Sequence, residues 1–269
     1  MQPKYFFRSE GQVELLDIRF PGAQGFFSTR KGGVSRREYC SLNVAAHVGD
    51  DPVRVNRNRE VLAGAVFSSI NCFVSGEQVH GDHVEVVNSV HAGCGFVRGK
   101  PPVPGADALV TGVPGLFLAS FYADCVPVYI FDTRKKVIGL AHAGWKGTVK
   151  GIASKTVRVM NEEFGTVSSD CAAFIGPSIG PCCYVVEGSV KNAFNDEVFP
   201  SGVVKHAGQD NKWHLDLWHA NKADLLSAGL SEKNIILSRI CTSCAEERFF
   251  SYRRDGGQTG RMAAFLQLE

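Results

Sequence analysis

The sequence predicts an α/β (α+β) protein, a single domain of mixed β-sheets flanked by helices. Eight apolar, β-branched runs bounded by glycine or proline indicate strands, and they outnumber four helical patterns. The two kinds of segment do not alternate regularly, which disfavours a doubly wound nucleotide fold. The chain also contains neither Gly-x-Gly-x-x-Gly nor a Gly-Lys-Ser/Thr loop, so neither dinucleotide binding nor P-loop chemistry is indicated.

Each expected element follows from its pattern. The predicted strands cover residues 72–75, 84–87, 109–111, 116–122, 126–132, 137–141, 172–175 and 234–238. The predicted helices cover residues 53–67, 150–164, 187–199 and 217–229, the second with its apolar side chains on one face and the last closed by a glycine. The glycine- and proline-rich residues 93–105 are too few for a linker and indicate a surface loop, so residues 1–269 are expected to form one domain.

Composition excludes several function classes. The chain is 44% hydrophobic and 21% charged, which is ordinary for a globular protein, and its formal net charge of +2 comes with no basic run that would indicate nucleic acid. We see no secretory signal and no apolar run of membrane-spanning length. Nine scattered cysteines, an odd number, indicate reduced thiols in a cytoplasm. We therefore expect a cytoplasmic protein without nucleic-acid or membrane partners, whose oligomeric state the sequence leaves open.

Three residues at the edges of predicted strands suggest a metal site. A catalytic zinc takes three protein ligands and keeps a fourth position open, and His80, Cys125 and His142 supply three suitable donors. Each also has an ordinary alternative: a surface histidine, an inert core thiol and a hydrogen-bonded core histidine. The spacing between them matches no short zinc-finger signature, so the prediction depends on the three residues acting together.

A second group of cysteines has a weaker pattern. Cys241 and Cys244 have the spacing of a redox or zinc half-site. The chain has no second Cys-x-x-Cys, and the adjacent Cys182 and Cys183 look poorly placed to complete one. Separate, buried thiols are therefore the favoured interpretation.

Eight motifs in order resemble the laccase-domain, YfiH-like family, which is also called the polyphenol oxidase family or the purine nucleoside phosphorylase family of YlmD type. They span nearly the whole chain, from about residue 26 to residue 261. They lie at residues 27–35, 41–43, 78–81, 106–109, 123–127, 142–148, 175–182 and 250–256. The chain departs from the family at Lys146, where arginine is common, and at residues 183–186. A lysine offers a point charge and no fork of donors.

The resemblance implies a fold, a cofactor and an activity. It implies a YfiH-like fold and a catalytic zinc held by His80, Cys125 and His142. It further implies phosphorolysis of adenosine, inosine and S-methyl-5′-thioadenosine, with adenosine deaminase activity alongside. Purine nucleosides and phosphate would then be the partners. The older family label, copper-dependent polyphenol oxidase, makes copper the alternative metal.

Four further residues are candidates for substrate binding. Arg30 offers forked donors to a phosphate, and the glycines beside it permit close approach, although a surface ion pair is the ordinary alternative. Asn43 could bind the nucleoside, although asparagine in a turn often caps its own backbone. Arg253 and Arg261 are candidates for a second anion contact.

Other chemistries stay open at this point. A blue-copper site normally adds a methionine, and the chain has three, of which Met160 lies on the predicted core face of a helix. Eight scattered histidines do not supply the close-set pairs of a multicopper oxidase. A Cys125–His hydrolase would need a metal-free thiolate. The Pro-Cys-x-x-Cys of the usual zinc deaminases is absent, so deamination would need a differently built site. A structural metal or binding module is disfavoured by three ligands instead of four.

Overall fold

The computed structural model describes residues 2–194 and 199–269. Its strands, in chain order, are β1 Lys4–Glu10, β2 Val13–Phe20, β3 Ala23–Ser28, β4 Phe73–Ser75, β5 Val84–Val86, β6 Ala108–Thr111, β7 Phe117–Tyr122, β8 Val126–Asp132, β9 Val137–Ala143, β10 Cys171–Ile175, β11 Val185–Glu187, β12 Val204–His206, β13 Lys212–Leu215, β14 Ile235–Leu237 and β15 Met262–Leu268. Its α-helices are α1 Pro52–Ala65, α2 Trp145–Val149, α3 Ile152–Phe164, α4 Gly188–Ala193 and α5 Leu217–Ser227.

Two six-stranded mixed sheets form the centre of the molecule. The first has the order β1-β2-β3-β15-β7-β4, and the second has the order β14-β10-β8-β9-β6-β5. Most neighbours are antiparallel, but β4–β7, β5–β6 and β10–β14 are parallel. A smaller sheet, β11-β13-β12, lies apart from these two in the hydrogen-bonding order.

The side chains of the two large sheets alternate between two cores. In β8, Tyr129 and Phe131 join a core that includes Phe27 and Leu266 from the first sheet, so the two sheets pack face to face. Val128 and Ile130, on the opposite face of the same strand, join a second core with residues of α3 and α5. A third core lies between the outer face of the first sheet and α1. The resulting order of layers is helix, sheet, sheet, helices.

The predicted fold class is confirmed. All eight predicted strands are present, with ends within two residues of the predicted ones, and three predicted helices correspond to α1, α3 and α5. The predicted helix 187–199 corresponds only to α4, and residues 195–198 lie outside the described part of the chain. That residues 1–269 form one domain stays a prediction. No α-helix of the described residues has the length and apolar character needed to cross a membrane.

Sequence reasoning missed seven of the strands that the described residues form: β1, β2, β3, β11, β12, β13 and β15. β1, β2 and β3 form an N-terminal meander whose second turn contains Gly22 at a φ of +101°, a conformation that glycine adopts readily. β15 contains several residues that favour helices, yet it lies between β3 and β7 and is almost entirely buried. Burial on both faces overrides this local preference.

Candidate metal centre

The structure brings His80, Cys125 and His142 together. Their donor atoms all lie within 4.8 Å of one another, and Cys125 Sγ is 3.8 Å from His80 Nε2. With metal–sulfur and metal–nitrogen distances of about 2.3 and 2.0 Å, a tetrahedral zinc would hold S and N about 3.5 Å apart. Two imidazoles and one thiol at this spacing therefore fit a three-ligand transition-metal site.

The fold explains why these three residues converge. β7 belongs to the first sheet and β8 to the second, so Cys125, in the short connection between them, lies where the chain crosses from one sheet to the other. His142 is near the end of β9, directly opposite Pro127 of β8. His80 lies in the loop that follows β4 and leans its ring against that of His142, with the centroids 4.9 Å apart.

Asp107 holds two of the three ligands in place. Its carboxylate accepts hydrogen bonds from three successive backbone N–H groups, those of Val79, His80 and Gly81, at 3.1, 3.1 and 2.6 Å. It also accepts from His142 Nδ1 at 2.9 Å, and the backbone N–H of His142 donates to the Asp107 carbonyl. A carboxylate at Nδ1 leaves His142 Nε2 unprotonated toward a metal, because a neutral imidazole has one donor and one acceptor.

The charges of the site are coupled. Burial disfavours the thiolate, but the nearby His142 and hydrogen bonds from both histidines outweigh it and lower the pKa of Cys125 to about 6. Burial likewise opposes protonation of His142, yet Cys125 and Asp107 raise its pKa to about 9. Without a metal, the pair therefore favours a thiolate beside an imidazolium, and the thiolate is the form in which cysteine binds metal.

Three residues around the site have a left-handed backbone. Gln78, His80 and Asp124 have φ values of 56°, 58° and 86°, a region that costs free energy for residues with a side chain. Gln78 is fixed by two hydrogen bonds between its side-chain amide and the main chain of Phe121. Such conformations persist only where surrounding contacts determine them, as they do here.

Asp124 is held equally firmly. Its carboxylate accepts hydrogen bonds from Thr242 Oγ1 at 2.7 Å, from Ser251 Oγ at 3.0 Å and from the backbone N–H of Arg253 at 2.7 Å. Its carbonyl accepts from the N–H of Ile179 at 2.9 Å. Through these contacts the residue before Cys125 is tied to three separate loops.

The trio opens into a cavity of about 630 Å³. This volume lies within the usual range for small-molecule sites. The wall is mixed: it contains four aromatic side chains and five charged ones. The lining residues are His47, Glu77, Gln78, Val79, His80, Phe121, Ala123, Asp124, Cys125, His142, Gly144, Trp145, Lys146, Ile179, Tyr184, Leu217, Tyr252, Arg253 and Arg261.

Three cationic side chains reach this cavity without an acidic partner. Among residues 2–194 and 199–269, no carboxylate forms an ion pair with Lys146, Arg253 or Arg261. Arg253 stacks over Tyr184 at 4.9 Å and donates to the Val185 carbonyl. Arg261 donates two hydrogen bonds from Nη1 to the carbonyls of residues 259 and 260. Unpaired cations in a cavity are suited to an anionic ligand.

Arg30 and Asn43 do not line the cavity. Arg30 donates to the carbonyls of Cys40 and Glu246 and stacks over Phe250 at 4.6 Å. Asn43 is fully buried, and its amide oxygen accepts the backbone N–H of Arg261 at 2.9 Å. The structure therefore places both outside the lining of the cavity, and a substrate-binding role for them stays a prediction. Arg30 fixes the main chain at Cys40 and Glu246, and Asn43 fixes the backbone of Arg261 itself.

Two functional carboxylates were not predicted. Asp107 and Asp124 lie within quoted motifs, but neither was given a role. The available signal was an aspartate in an apolar or small-residue context, which is rarely buried unless its oxygens are fully used. Their hydrogen-bond partners come from distant segments, so the sequence could not name them.

The cysteine prediction needs a correction. Cys241 is buried, as predicted, but Cys244 is exposed, so the prediction of buried thiols is wrong for one of these two. Cys182 is exposed and Cys183 is partly exposed. Cys182 and Cys183 lie in a turn closed by hydrogen bonds to the Gly180 carbonyl, which brings both sulfurs to the same side. An extended chain, where neighbours point apart, would not allow this.

The family described as multi-copper polyphenol oxidoreductase laccase matches residues 24–269. The chain belongs to this family. Purine nucleoside phosphorylase YlmD of Geobacillus stearothermophilus is 40% identical to this laccase-family chain over 248 residues, 92% of this chain and 90% of the relative. Adenosine deaminase RL5, from an unknown prokaryotic organism, is 34% identical over 253 residues, 93% of this chain and 96% of the relative. The crystal structure of the Bacillus licheniformis hypothetical protein YfiH has a TM-score of 0.93 at 35% identity, covering 98% of this chain and 99% of that one.

These comparisons confirm the resemblance that the motifs predicted. The laccase family name refers to copper oxidation, whereas two relatives carry names of nucleoside-processing enzymes. The relatives and the candidate metal group together indicate a nucleoside-processing enzyme with a metal site.

Proposed function

We propose that this protein is a zinc-dependent purine nucleoside phosphorylase, acting on adenosine, inosine and S-methyl-5′-thioadenosine, with adenosine deaminase as a side activity. The observation that carries the proposal is the convergence of one candidate metal-ligand trio, three unpaired cations and four aromatic side chains on one cavity. Phosphorolysis needs an anion site, a surface for the base and stabilisation of charge at the breaking bond, and the cavity has residues suited to each.

The anion site is assigned to Arg261 and Arg253, and Lys146 lines the same cavity. The Arg261 guanidinium uses Nη1 for main-chain carbonyls, and within the described residues no partner engages its Nε or Nη2. Two such N–H groups can bind two phosphate oxygens at once. Burial lowers the pKa of Arg261, and the Cys125 thiolate partly counteracts this. Because the guanidinium is partly removed from water, a bound anion would compensate for its lost hydration.

The aromatic side chains are suited to the purine. Trp145 and Tyr184 line the cavity close to the cations, and Tyr252 lies under the Arg261 guanidinium with 5.6 Å to the ring centroid. Stacking on such rings contributes about 1–3 kcal/mol per base in nucleic-acid sites. Stacking does not distinguish adenine from hypoxanthine, so it agrees with an enzyme that acts on several purine nucleosides.

His80, Cys125 and His142 would hold the zinc, which when bound would supply a Lewis acid and activate water. Asp107 would keep His142 oriented, and the lowered pKa of Cys125 would keep the thiol ionised near neutral pH. A water-activating metal beside a purine site is also what deamination requires. The relative named adenosine deaminase supports this second activity.

The donor set favours zinc over copper. Within the described residues, the trio is the one candidate metal group that contains histidine, whereas a multicopper centre needs several histidine pairs. Met160 is buried in α3, and Met262 accepts a backbone N–H from Phe250, so neither lines the cavity as an axial ligand would. A cytoplasmic location stays a prediction based on the unpaired cysteines.

The test is a phosphate-dependent assay that measures ribose 1-phosphate released from adenosine, alongside inosine formed by deamination. We expect Arg261→Ala to raise the KM for phosphate and to leave deamination largely intact, because the anion site serves only phosphorolysis. Arg98→Ala, which changes an exposed arginine outside the cavity, is the matched control. Absence of ribose 1-phosphate when adenosine and phosphate are both supplied would refute the assigned reaction, and an unchanged KM for phosphate in the Arg261→Ala protein would refute the assigned anion site.

The metal assignment has its own variants. His80→Ala should abolish both activities together with zinc binding at this site. His83→Ala is the control, because His83 is exposed and pairs with Glu85 outside the cavity. Full activity of the His80→Ala protein would refute the role of the trio.

A further inference from the structure

Four cysteines outside the cavity form a second cluster. The Sγ atoms of Cys182, Cys183, Cys241 and Cys244 all lie within 4.8 Å of one another. Cys244 Sγ is 3.6 Å from Cys182 Sγ and 3.4 Å from Cys183 Sγ. The proposed phosphorylase chemistry uses none of them.

The spacing of the sulfurs matches a metal site. Four thiolates about 2.3 Å from a tetrahedral zinc lie about 3.8 Å from one another. A disulfide would instead place one pair of sulfurs about 2.05 Å apart and leave the other two without a role. Here four sulfurs from two loops lie within 4.8 Å of one another, and two of the separations between them, 3.4 and 3.6 Å, are close to those of four thiolates on one ion and much longer than a disulfide bond.

The two loops are joined before any metal is considered. β10 and β14 are parallel neighbours, so the segments that follow them leave the same end of the second sheet. Ser178 and Cys241 form an isolated parallel bridge, with Ser178 N–H donating to the Ile240 carbonyl and Thr242 N–H donating to the Ser178 carbonyl. This backbone pairing brings the Cys-Cys turn to the Cys-x-x-Cys loop.

Gly180 shapes the cluster in two ways. Its N–H donates to Cys241 Sγ at 3.2 Å, a contact that stabilises an ionised sulfur. A Cβ at this residue would lie 3.2 Å from Cys182 Sγ and 2.6 Å from the Trp218 ring. The absence of a side chain therefore leaves space for the sulfur beside a buried tryptophan.

We propose that Cys182, Cys183, Cys241 and Cys244 bind a structural zinc ion, separate from the metal of the cavity. Four soft thiolates select zinc, and a closed set of four leaves no open position for chemistry. The ion would fasten the loop after β10 to the loop after β14. Zinc binding by these four cysteines does not depend on which reaction the cavity performs.

This second zinc would brace one wall of the cavity. Thr242, between two of the ligands, donates to Asp124, which precedes Cys125. Tyr184 follows Cys183 directly and supports the Arg253 guanidinium. Loss of the ion should therefore loosen the cavity wall without removing a ligand of the first metal.

The experiment measures zinc per chain. Metal-free, reduced full-length protein is reconstituted with Zn²⁺ alone, desalted and analysed by elemental analysis and native mass spectrometry. We expect two zinc ions for wild type, one for Cys244→Ser and one for His80→Ala. Cys40→Ser, which removes an exposed cysteine outside both groups, should keep both.

Cobalt provides a second readout that leaves the cluster intact. In the His80→Ala protein, Co²⁺ should give the intense sulfur-to-cobalt charge-transfer band of a four-thiolate site, even if replacing Cys244 unfolds the chain. The absence of that band would overturn the proposal. So would unchanged zinc content in a folded Cys244→Ser protein, or a disulfide within the cluster in protein purified under reducing conditions.

Discussion

Replacing Asp107 with asparagine tests how the metal centre is organised. The carboxylate is buried and accepts four hydrogen bonds, from the backbone N–H groups of Val79, His80 and Gly81 and from His142 Nδ1. An amide keeps one acceptor oxygen and puts an NH₂ group where the other oxygen was. In either orientation of the amide, two of the four donors lose their acceptor.

The structure indicates the size of the effect. Hydrogen bonds to charged groups contribute about 1.5–3 kcal/mol each, so two lost bonds lower the free energy of unfolding by about 3–6 kcal/mol. If the amide NH₂ faces His142 Nδ1, it favours the tautomer that is protonated at Nε2, which cannot bind metal. Loss of a partner that orients a ligand costs about 10–100-fold in metal affinity.

The assay is competition for Zn²⁺ against a chromogenic chelator, carried out where circular dichroism shows the variant to be folded. Asp17→Asn is the matched control, because Asp17 is also fully buried and accepts hydrogen bonds from Arg8, Arg19 and Gln24 in the first sheet. It should lose stability and keep its zinc affinity. If Asp107→Asn binds zinc at the cavity site as tightly as wild type, the orienting role is refuted.

Two further changes probe the same centre. In metal-free protein, the rate of Cys125 alkylation by iodoacetamide should rise as the pH increases through about 6 instead of 9.0, because the thiolate is the nucleophile and its pKa is lowered. Replacing His142 with glutamine should move the midpoint of this pH profile upward. An unmoved midpoint would contradict the coupling between Cys125 and His142. Gly144→Ala should weaken zinc binding, because the added Cβ would lie 3.1 Å from both Cys125 Sγ and His80 Cδ2. The control is Gly64→Ala, in open space on α1, which should leave zinc affinity unchanged and alter the free energy of unfolding by no more than about 1 kcal/mol. Equal zinc affinity in the two variants would show that the site tolerates the added Cβ.

The fold could be predicted where pattern and burial coincide. β8 is apolar on both faces and was predicted with its observed ends, because a strand buried between two cores has a continuous apolar run. β1 is largely exposed and β15 is rich in helix-favouring residues, so local pattern identified neither. Their strand structure comes from pairing with partners that are distant in sequence.

The sequence named three candidate ligands that the structure brings together, but it did not name the residues that support them. His80, Cys125 and His142 were recognised because their residue types have a definite chemistry and the family motifs link them. Arg30 was a candidate phosphate contact because of its forked donors and neighbouring glycines, but Gly33 serves close packing, since a Cβ there would lie 2.2 Å from the Ser41 carbonyl oxygen. Asp107 had no signal beyond its apolar context.

The position of β15 has a consequence for how the protein is made. β15 is the last strand in chain order, yet it lies between β3 and β7 in the first sheet. On the ribosome, the N-terminal meander therefore has to wait for residues 262–268 before it can join the remainder of that sheet. Contacts this distant in sequence slow folding.

Arg261 immediately precedes this late strand, so the side of the cavity proposed to bind an anion forms after the strands that flank His80, Cys125 and His142. A nascent chain would contain His80, Cys125 and His142 well before Arg261, the residue to which we assign phosphate binding. Until the final strand is inserted, β3 and β7 both present unpaired edges, which are sites for aggregation. Insertion of β15 thus covers the exposed edges of β3 and β7 and places Arg261 at the cavity in the same step.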